Sequence, residues 1–228
     1  MKVAVVGSDG RMGGLVVSIL EEKENMEAVT IDDIFDVIID FSHPNNLQMI
    51  SEAAEKSGKP VVIATTGFVE EQISKIEDLA KKVPVVYAAN FSLGITVMEK
   101  ILKDITPILK DSFDMEMIEK HHNQKLDAPS GTAKMLVKAM NKDNEFEEVC
   151  GRKGMRKRSK EIGIHSVRGG TIPGEHSAIY AGDDEILEIK HTAGSRKIFA
   201  NGSIKAAEFA VEQKPGMYDM NAVLFGKE

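Results

Sequence analysis

Val3-Ala4-Val5-Val6-Gly7-Ser8-Asp9-Gly10-Arg11-Met12-Gly13-Gly14 decides the fold. Its first four residues form an unbroken apolar run, the pattern of a short strand buried on both faces. Glycines follow at 7, 10 and 13, and Leu15, Val16, Ile19 and Leu20 then recur at helical spacing. Strand, glycine-rich turn and helix in that order is the setting in which a glycine loop reads as a dinucleotide fingerprint. The G-x-x-G-x-x-G spacing is a variant of the more common one, with the same physics: glycines let a pyrophosphate reach the N–H groups at the helix start. Gly7, Ser8, Asp9, Gly10, Arg11 and Met12 are the candidate contacts. A tight turn without a ligand is the competing reading.

The alternation continues downstream. Asp36 to Phe41 reads as a buried strand, Ser42 and Pro44 open a helix ending near Gly58, and Pro60 to Ala64 reads as the next strand. Val69 to Lys82 is amphipathic through Ile73, Ile76 and Leu79, and Val83 to Tyr87 is a further strand. Repeated βα units imply an α/β fold, a Rossmann-like doubly wound parallel sheet with its ligand crevice at the carboxyl ends of the strands. The loops there add Ala64, Thr65, Thr66, Ala88, Ala89, Asn90 and Phe91 to the candidate cofactor contacts. One place breaks the pattern. Met26 to Ile31 could be the second strand, ending at Asp32, the weak candidate for a ribose contact. Yet only a few residues precede the next strand, and a parallel neighbour normally needs a crossover of a dozen or more. Either Met26 to Ile31 is not a parallel strand or its connection is abnormal, and a trimmed adenosine pocket is expected.

Leu93 to Leu109 reads as a long helix with Met98, Ile101, Leu102 and Ile105 inward, kinked or ended near Pro107. Extended segments follow at 163–168, 176–181, 185–191 and 197–200, with a hairpin turn at Ala181-Gly182-Asp183-Asp184. A second α+β domain with a mixed or antiparallel sheet is expected over 92–202. The helix from Ser203 should return to the first domain, giving 1–91 completed by 203–228.

Between these parts lies Glu119-Lys120-His121-His122-Asn123-Gln124-Lys125-Leu126-Asp127-Ala128-Pro129-Ser130-Gly131-Thr132-Ala133. Phe113 to Ile118 reads as a strand, and Ala133, Leu136, Val137 and Met140 share one helical face. The stretch is therefore a strand-to-helix corner. Ser130, Gly131 and Thr132 begin the helix, where unbonded N–H groups and the dipole make an anion site. Lys125 can bring a cation or a proton there, and a carboxylate-bearing substrate would suit it. His121 and His122 are adjacent in extended chain, point to opposite sides and cannot share one role. A polar strand edge and a plain helix cap are the competing readings.

The complete string Glu-x-His-His-x-x-Lys-x-Asp-Ala-Pro-Ser-Gly-Thr-Ala closely resembles the signature of the 4-hydroxy-tetrahydrodipicolinate reductase (dihydrodipicolinate reductase) family, of the diaminopimelate route to lysine. The likeness extends to the Thr-Thr-Gly and Asn-Phe-Ser loops and to the C-terminus. The resemblance implies that NADPH or NADH delivers hydride to a cyclic dicarboxylic imine. It implies Lys125 as proton donor, His121 as its acid–base partner, and His122, Gly131 and Thr132 as substrate-binding residues. It also implies a homotetramer built through the second-domain sheet. The family carries a longer segment where this chain has residues 24–35, which leaves the choice of cofactor open.

Composition narrows the alternatives. Among the 228 residues the net charge is −7, which argues against nucleic acid as main partner. The exception is 152–160, with Arg152, Lys153, Arg156, Lys157, Arg158 and Lys160, a solvated basic loop or a mobile flap that attracts an anion. Cys150 is the single cysteine, so no internal disulfide forms, and no histidine has a partner at metal-ligand spacing, so no metal site is expected. The chain opens on a strand without a signal-peptide pattern and has no apolar run of membrane-spanning length, as expected of a soluble cytoplasmic protein. Two rival readings are another nicotinamide-dependent dehydrogenase on the same plan, and a nucleotide-sensing pseudoenzyme. The corner argues against the first, and a pure sensor needs neither His121 nor Lys125.

Overall fold

The computed structural model describes residues 1–226, and the chain forms two compact units: Met1–Leu93 with the chain from Arg196 onward, and Gly94–Ser195. The first unit begins with β1 (Lys2–Val6), α1 (Arg11–Glu21), β2 (Glu27–Val29) and β3 (Val37–Asp40). A 3-10 turn (Pro44–Asn46), α2 (Leu47–Ser57), β4 (Val61–Ile63), α3 (Glu70–Ala80) and β5 (Pro84–Tyr87) follow. These strands pair in parallel in the order β5-β4-β3-β1-β2. Side chains alternate across the sheet, and each face has its own core. Val3, Val5, Val37, Ile39, Val62 and Val86 pack with Val16, Ile19 and Leu20 of α1. Ala4, Val6, Ile38, Val61, Ile63 and Val85 pack with Leu47 and Ile50 of α2 and Ile76 and Leu79 of α3. Burial on both faces is why these strands read as unbroken apolar runs.

The ambiguous segment resolves as an abnormal connection. Glu27–Val29 does pair in parallel with β1, and residues 30–36 then enter β3 on the other side of β1 without a helix. Those seven residues reach about 25 Å when extended. That suffices, because β2 and β3 have three and four residues and the two strand spacings crossed add about 10 Å. Lys2 holds the crossing: its N–H donates to Asp36 Oδ2 at 2.8 Å and its carbonyl accepts from Asp36 N–H at 2.8 Å. Phe35 anchors it in the core. The second strand is present but stops after three residues.

In the second unit α4 (Leu93–Leu109) ends two residues past Pro107. After it come β6 (Asp114–His121), α5 (Gly131–Met140), β7 (Glu147–Cys150), β8 (Glu161–Arg168), β9 (Glu175–Ala181) and β10 (Ile186–Thr192). They form a mixed sheet ordered β10-β9-β6-β8-β7, with β8 parallel to β6 and β7 and β9 antiparallel to β6 and β10. Ile95, Met98 and Leu102 of α4 and Leu136, Val137 and Met140 of α5 pack on Met115, Met117, Ile162, Ile164, Ala178 and Tyr180. Ile101, expected inward, is 37% exposed. Along β6 burial alternates, so Met115, Met117, Glu119 and His121 share the helix-covered face while Glu116, Ile118 and Lys120 face the other way. β7 is a strand that sequence patterning did not show, because Glu147-Glu148-Val149-Cys150 has a single strongly apolar residue and pairs at an edge.

Lys197–Ala200, expected to be extended, is the first turn of α6 (Lys197–Ala210). Four residues cannot separate strand from helix, but Ala200, Ile204 and Ala207 continue the run at helical spacing into the first core. β11 (Gly216–Tyr218) then adds in parallel beside β5, and α7 (Met220–Phe225), capped by Asp219 Oδ1 on Ala222 N–H at 2.9 Å, completes the unit. Among the described residues no helix is long and apolar enough to cross a membrane.

Candidate active site

Because the strands of the first sheet are parallel, the loops after β1, β3, β4 and β5 leave from one edge. The glycine turn is tightly built. Gly7 has φ 87°, and a Cβ there would lie 2.6 Å from the Phe41 carbonyl oxygen; a Cβ on Gly13 would lie 2.0 Å from the Gly7 carbonyl oxygen. Gly10 N–H donates to that same oxygen at 2.9 Å, and Gly10 precedes α1 without a side-chain cap. The first-turn N–H groups therefore have no partner within the helix. Ser8, Asp9 and Arg11 are exposed and Met12 half-buried around this cradle. The residues fit a pyrophosphate.

The neighbouring loops are tied to one another. Asp40 closes β3 and is buried, and its Oδ1 accepts from Ser42 Oγ at 2.5 Å and Ser42 N–H at 2.9 Å. Ser42 N–H also reaches Thr65 Oγ1 at 2.9 Å, and Ala64 N–H donates to the Asp40 carbonyl at 2.9 Å. Burial pushes the Asp40 carboxyl up against the opposing pull of Ser42 and Thr65. Sequence reasoning passed over Asp40, whose signal is an acid ending an apolar strand beside a serine. Thr66 and Ala89 are exposed and Ala88 half-buried. Asn90 Oδ1 accepts from Ser92 N–H at 2.8 Å, and Phe91 is buried edge-on to Phe41, with ring centroids 6.3 Å apart. Asp32 is exposed in a Thr30–Asp33 turn just beyond β2, and Asp33, not Asp32, makes the turn's bonds to Thr30.

The second unit builds the corner. β6 carries Glu119 and His121 to its end on the core side, and a turn returns the chain, with Lys125 N–H on the His122 carbonyl at 3.2 Å. Lys125 Nζ pairs with Asp127 at 2.7 Å, and that bond, opposed by desolvation, holds the Asp127 carboxyl below its usual range with help from Gly131 N–H. Thus the start of α5 and Lys125 already receive one carboxylate. Ser130 caps α5, its Oγ accepting from Ala133 N–H at 3.1 Å. A Cβ on Gly131 would meet open space. His122 is half-buried.

Behind the corner lies a buried polar network that sequence reasoning did not assemble. Glu119 accepts from Arg168 Nη1 and Nη2 at 2.8 and 2.7 Å, from Ser130 N–H at 3.1 Å, and is 2.5 Å from His121 Nδ1. Burial acts to raise its pKa, but the Arg168 fork, His121, Ser166 and Ser130 outweigh it and hold the carboxyl at about 2. His176 on β9 meets His121 edge-on, centroids 5.2 Å apart, and its Nε2 is 3.2 Å from Ser130 Oγ. Burial first, then the charge of His121, lowers His176 to about 4, so this imidazole is neutral. The usable signals were an acid in the apolar row of β6 and histidines on neighbouring strands. The basic loop is neither free nor wholly solvated: Arg152, Arg156 and Arg158 turn back onto Glu116 and Glu161. Among the described residues no group of three His, Cys, Asp or Glu side chains could hold a metal ion.

Two family models match the chain: dihydrodipicolinate reductase, N-terminus, over residues 25–91, and dihydrodipicolinate reductase, C-terminus, over residues 94–224. A 4-hydroxy-tetrahydrodipicolinate reductase from Brachyspira hyodysenteriae is 47% identical over 98% of this chain and 100% of its own length. One from Clostridium novyi is 42% identical over 99% of each chain. Among solved structures, a dipicolinate-bound dihydrodipicolinate reductase from a Paenisporosarcina species superposes with a TM-score of 0.81 at 24% identity, covering 99% of both chains. A probable dehydrogenase from Thermotoga maritima superposes at 0.63 with 10% identity, over 98% of this chain and 92% of that one, which speaks to the fold alone.

Proposed function

The chain belongs to the dihydrodipicolinate reductase family, and on that premise we propose that it reduces 4-hydroxy-tetrahydrodipicolinate to tetrahydrodipicolinate with NADPH or NADH, in lysine biosynthesis through diaminopimelate. The observation that carries the proposal is the corner, where a helix start and Lys125 together hold a carboxylate while His121 stands ready with an oriented ring.

The nucleotide would be held by Gly7, Ser8, Asp9, Gly10, Arg11 and Met12, by Ala64, Thr65 and Thr66, and by Ala88, Ala89, Asn90 and Phe91. A reduced nicotinamide bound there supplies hydride. The chain supplies the rest. Gly131 and Thr132, at the start of α5, and His122 bind the substrate carboxylates. Lys125 delivers the proton that quenches the negative charge developing on the reduced substrate, and His121 exchanges protons with Lys125 between turnovers. Asp127 occupies Lys125 until substrate carboxylates replace it. Asp32, exposed beyond a β2 of three residues, is the weak candidate for the adenosine ribose contact.

The support for an assembly lies on the second sheet. Ile118, Val167, Ile179 and Ile186 lie on the face that α4 and α5 leave uncovered, Val167 and Ile186 being 45% and 72% exposed. A cytoplasmic homotetramer formed through that face covers them.

Titration calorimetry of the pure protein with NADH and NADPH, with and without a planar pyridine dicarboxylate, tests the reading. The expected result is binding of at least one nucleotide, tightened by the mimic. A folded protein that binds neither would overturn it in favour of a protein that lost the chemistry.

A further inference from the structure

Glu119 is a carboxylate set into the apolar row of a strand. Its side chain is wholly buried, on the same face of β6 as Met115 and Met117. A charge in that position persists only when its lone pairs are taken up by donors. Here they are: both arms of Arg168, the ring of His121 and the N–H of Ser130 all converge on one carboxylate. Each donor comes from a different part of the site: β8, the end of β6, and the residue capping α5.

Two consequences follow from donor chemistry. An ionised carboxylate only accepts, so at 2.5 Å His121 Nδ1 must carry the hydrogen. The neutral ring is then the Nδ1–H tautomer, with its lone pair on Nε2. That atom lies beside Gly174, where a Cβ would come within 3.1 Å of it. The second consequence concerns the carboxylate-binding end. Ser130 N–H on Glu119 fixes where α5 begins, and Arg168 Nη2 donates at 2.6 Å to the Asp127 carbonyl, pinning the loop that carries Lys125.

We propose that Glu119 is a positioning residue for the reduction: it sets the tautomer and aim of His121 and, with Arg168, the seat of the α5 start that receives the substrate carboxylate. The role rests on the function proposed above. The groups that face His121 are Glu119 on its own strand, Arg168 from β8 and His176 from β9. Lys125, paired with Asp127, and His191 from β10 act electrostatically on His176. Of these, Glu119 is the anion bonded to the ring.

Glu119→Gln removes the charge and keeps the shape. The expected result is a folded enzyme with kcat lowered by about a hundredfold, within the roughly 10²–10⁴ that a positioned acid–base group contributes. KM for the nucleotide should stay within about twofold, so the loss falls on kcat alone. A kcat like that of the wild type would overturn the role. Nitrogen NMR of the His121 ring in the unsubstituted protein tests it without any variant. The Nδ1–H tautomer is expected, and a neutral Nε2–H tautomer would overturn the role of Glu119 alone. A wild type that reduces nothing would instead overturn the functional reading, and the role with it.

Discussion

Gly13→Ala probes the nucleotide cradle at its tightest point. A Cβ there would sit 2.0 Å from the Gly7 carbonyl oxygen, 2.5 Å from the Gly7 carbonyl carbon and 2.8 Å from Ser8 N. Every obstructing atom is backbone, so no rotamer change relieves it. Restoring a separation of 3.0 Å needs a shift of 3.0 − 2.0 = 1.0 Å, by the start of α1, by the turn, or shared. Forcing a methyl into packed structure costs roughly 1–3 kcal/mol, which for a chain of this size lowers Tm by roughly 2–12 °C. The same shift moves the α1 N–H groups away from where a pyrophosphate would receive them. Loss of one charge-assisted hydrogen bond, worth about 1.5–3 kcal/mol, weakens nucleotide binding by roughly 10- to 100-fold. The assay is the Kd for NADH and NADPH by calorimetry beside a thermal melt. A lowered Tm with an unchanged Kd would refute the assignment of this turn to the cofactor, leaving it as a packing device.

Other outcomes follow from the second unit. His176 is neutral in the fold down to about pH 4, whereas an unfolded histidine takes a proton near its usual value of 6.5. Between these values the unfolded state binds the extra proton, so stability falls as pH drops through that window; from pH 7.5 to pH 5 the loss from this group is about 2 kcal/mol. Urea titrations should show His176→Gln losing less stability than wild type over that interval, and equal losses would contradict the argument. Lys125→Ala should lose mainly kcat and Thr132→Ala should mainly raise KM for the dicarboxylate, a split that steady-state kinetics reads directly. Tyr180→Phe removes the buried bond between its hydroxyl and Thr106 Oγ1 at 2.6 Å. Because Thr106 keeps its bond to the Leu102 carbonyl, denaturant titration should show a loss of about 0.5–1.5 kcal/mol with activity unchanged.

What was legible in the sequence was whatever local pattern encodes. The buried parallel strands announce themselves as apolar runs, and the glycine turn and the Pro129-Ser130-Gly131 helix start are short-range signals. Lys197–Ala200 failed because a four-residue stretch with three apolar residues carries no period, and β7 failed because an edge strand need not be apolar. The crossing at 30–36 was recognisable as an anomaly but not as a solution, since whether seven residues suffice depends on how short the strands are. In the site, chain-adjacent residues such as His121, Lys125 and Thr132 were legible together. Glu119, Arg168 and His176 were not, because their meeting depends on the register of three strands: His121 lies opposite Arg168, and Glu119 opposite His176. Asp40 with Thr65 is the same case on a smaller scale, two loops joined only by neighbouring strands.

The most direct measurement is consumption of NADH and of NADPH by the pure protein on addition of 4-hydroxy-tetrahydrodipicolinate, with the Lys125→Ala variant alongside. The account predicts rapid oxidation of at least one nucleotide by the wild type and a kcat lower by about 10²–10⁴ in the variant, with the dicarboxylate mimic still bound. A folded wild type that oxidises neither nucleotide, or a variant that turns over as fast as the wild type, would contradict it.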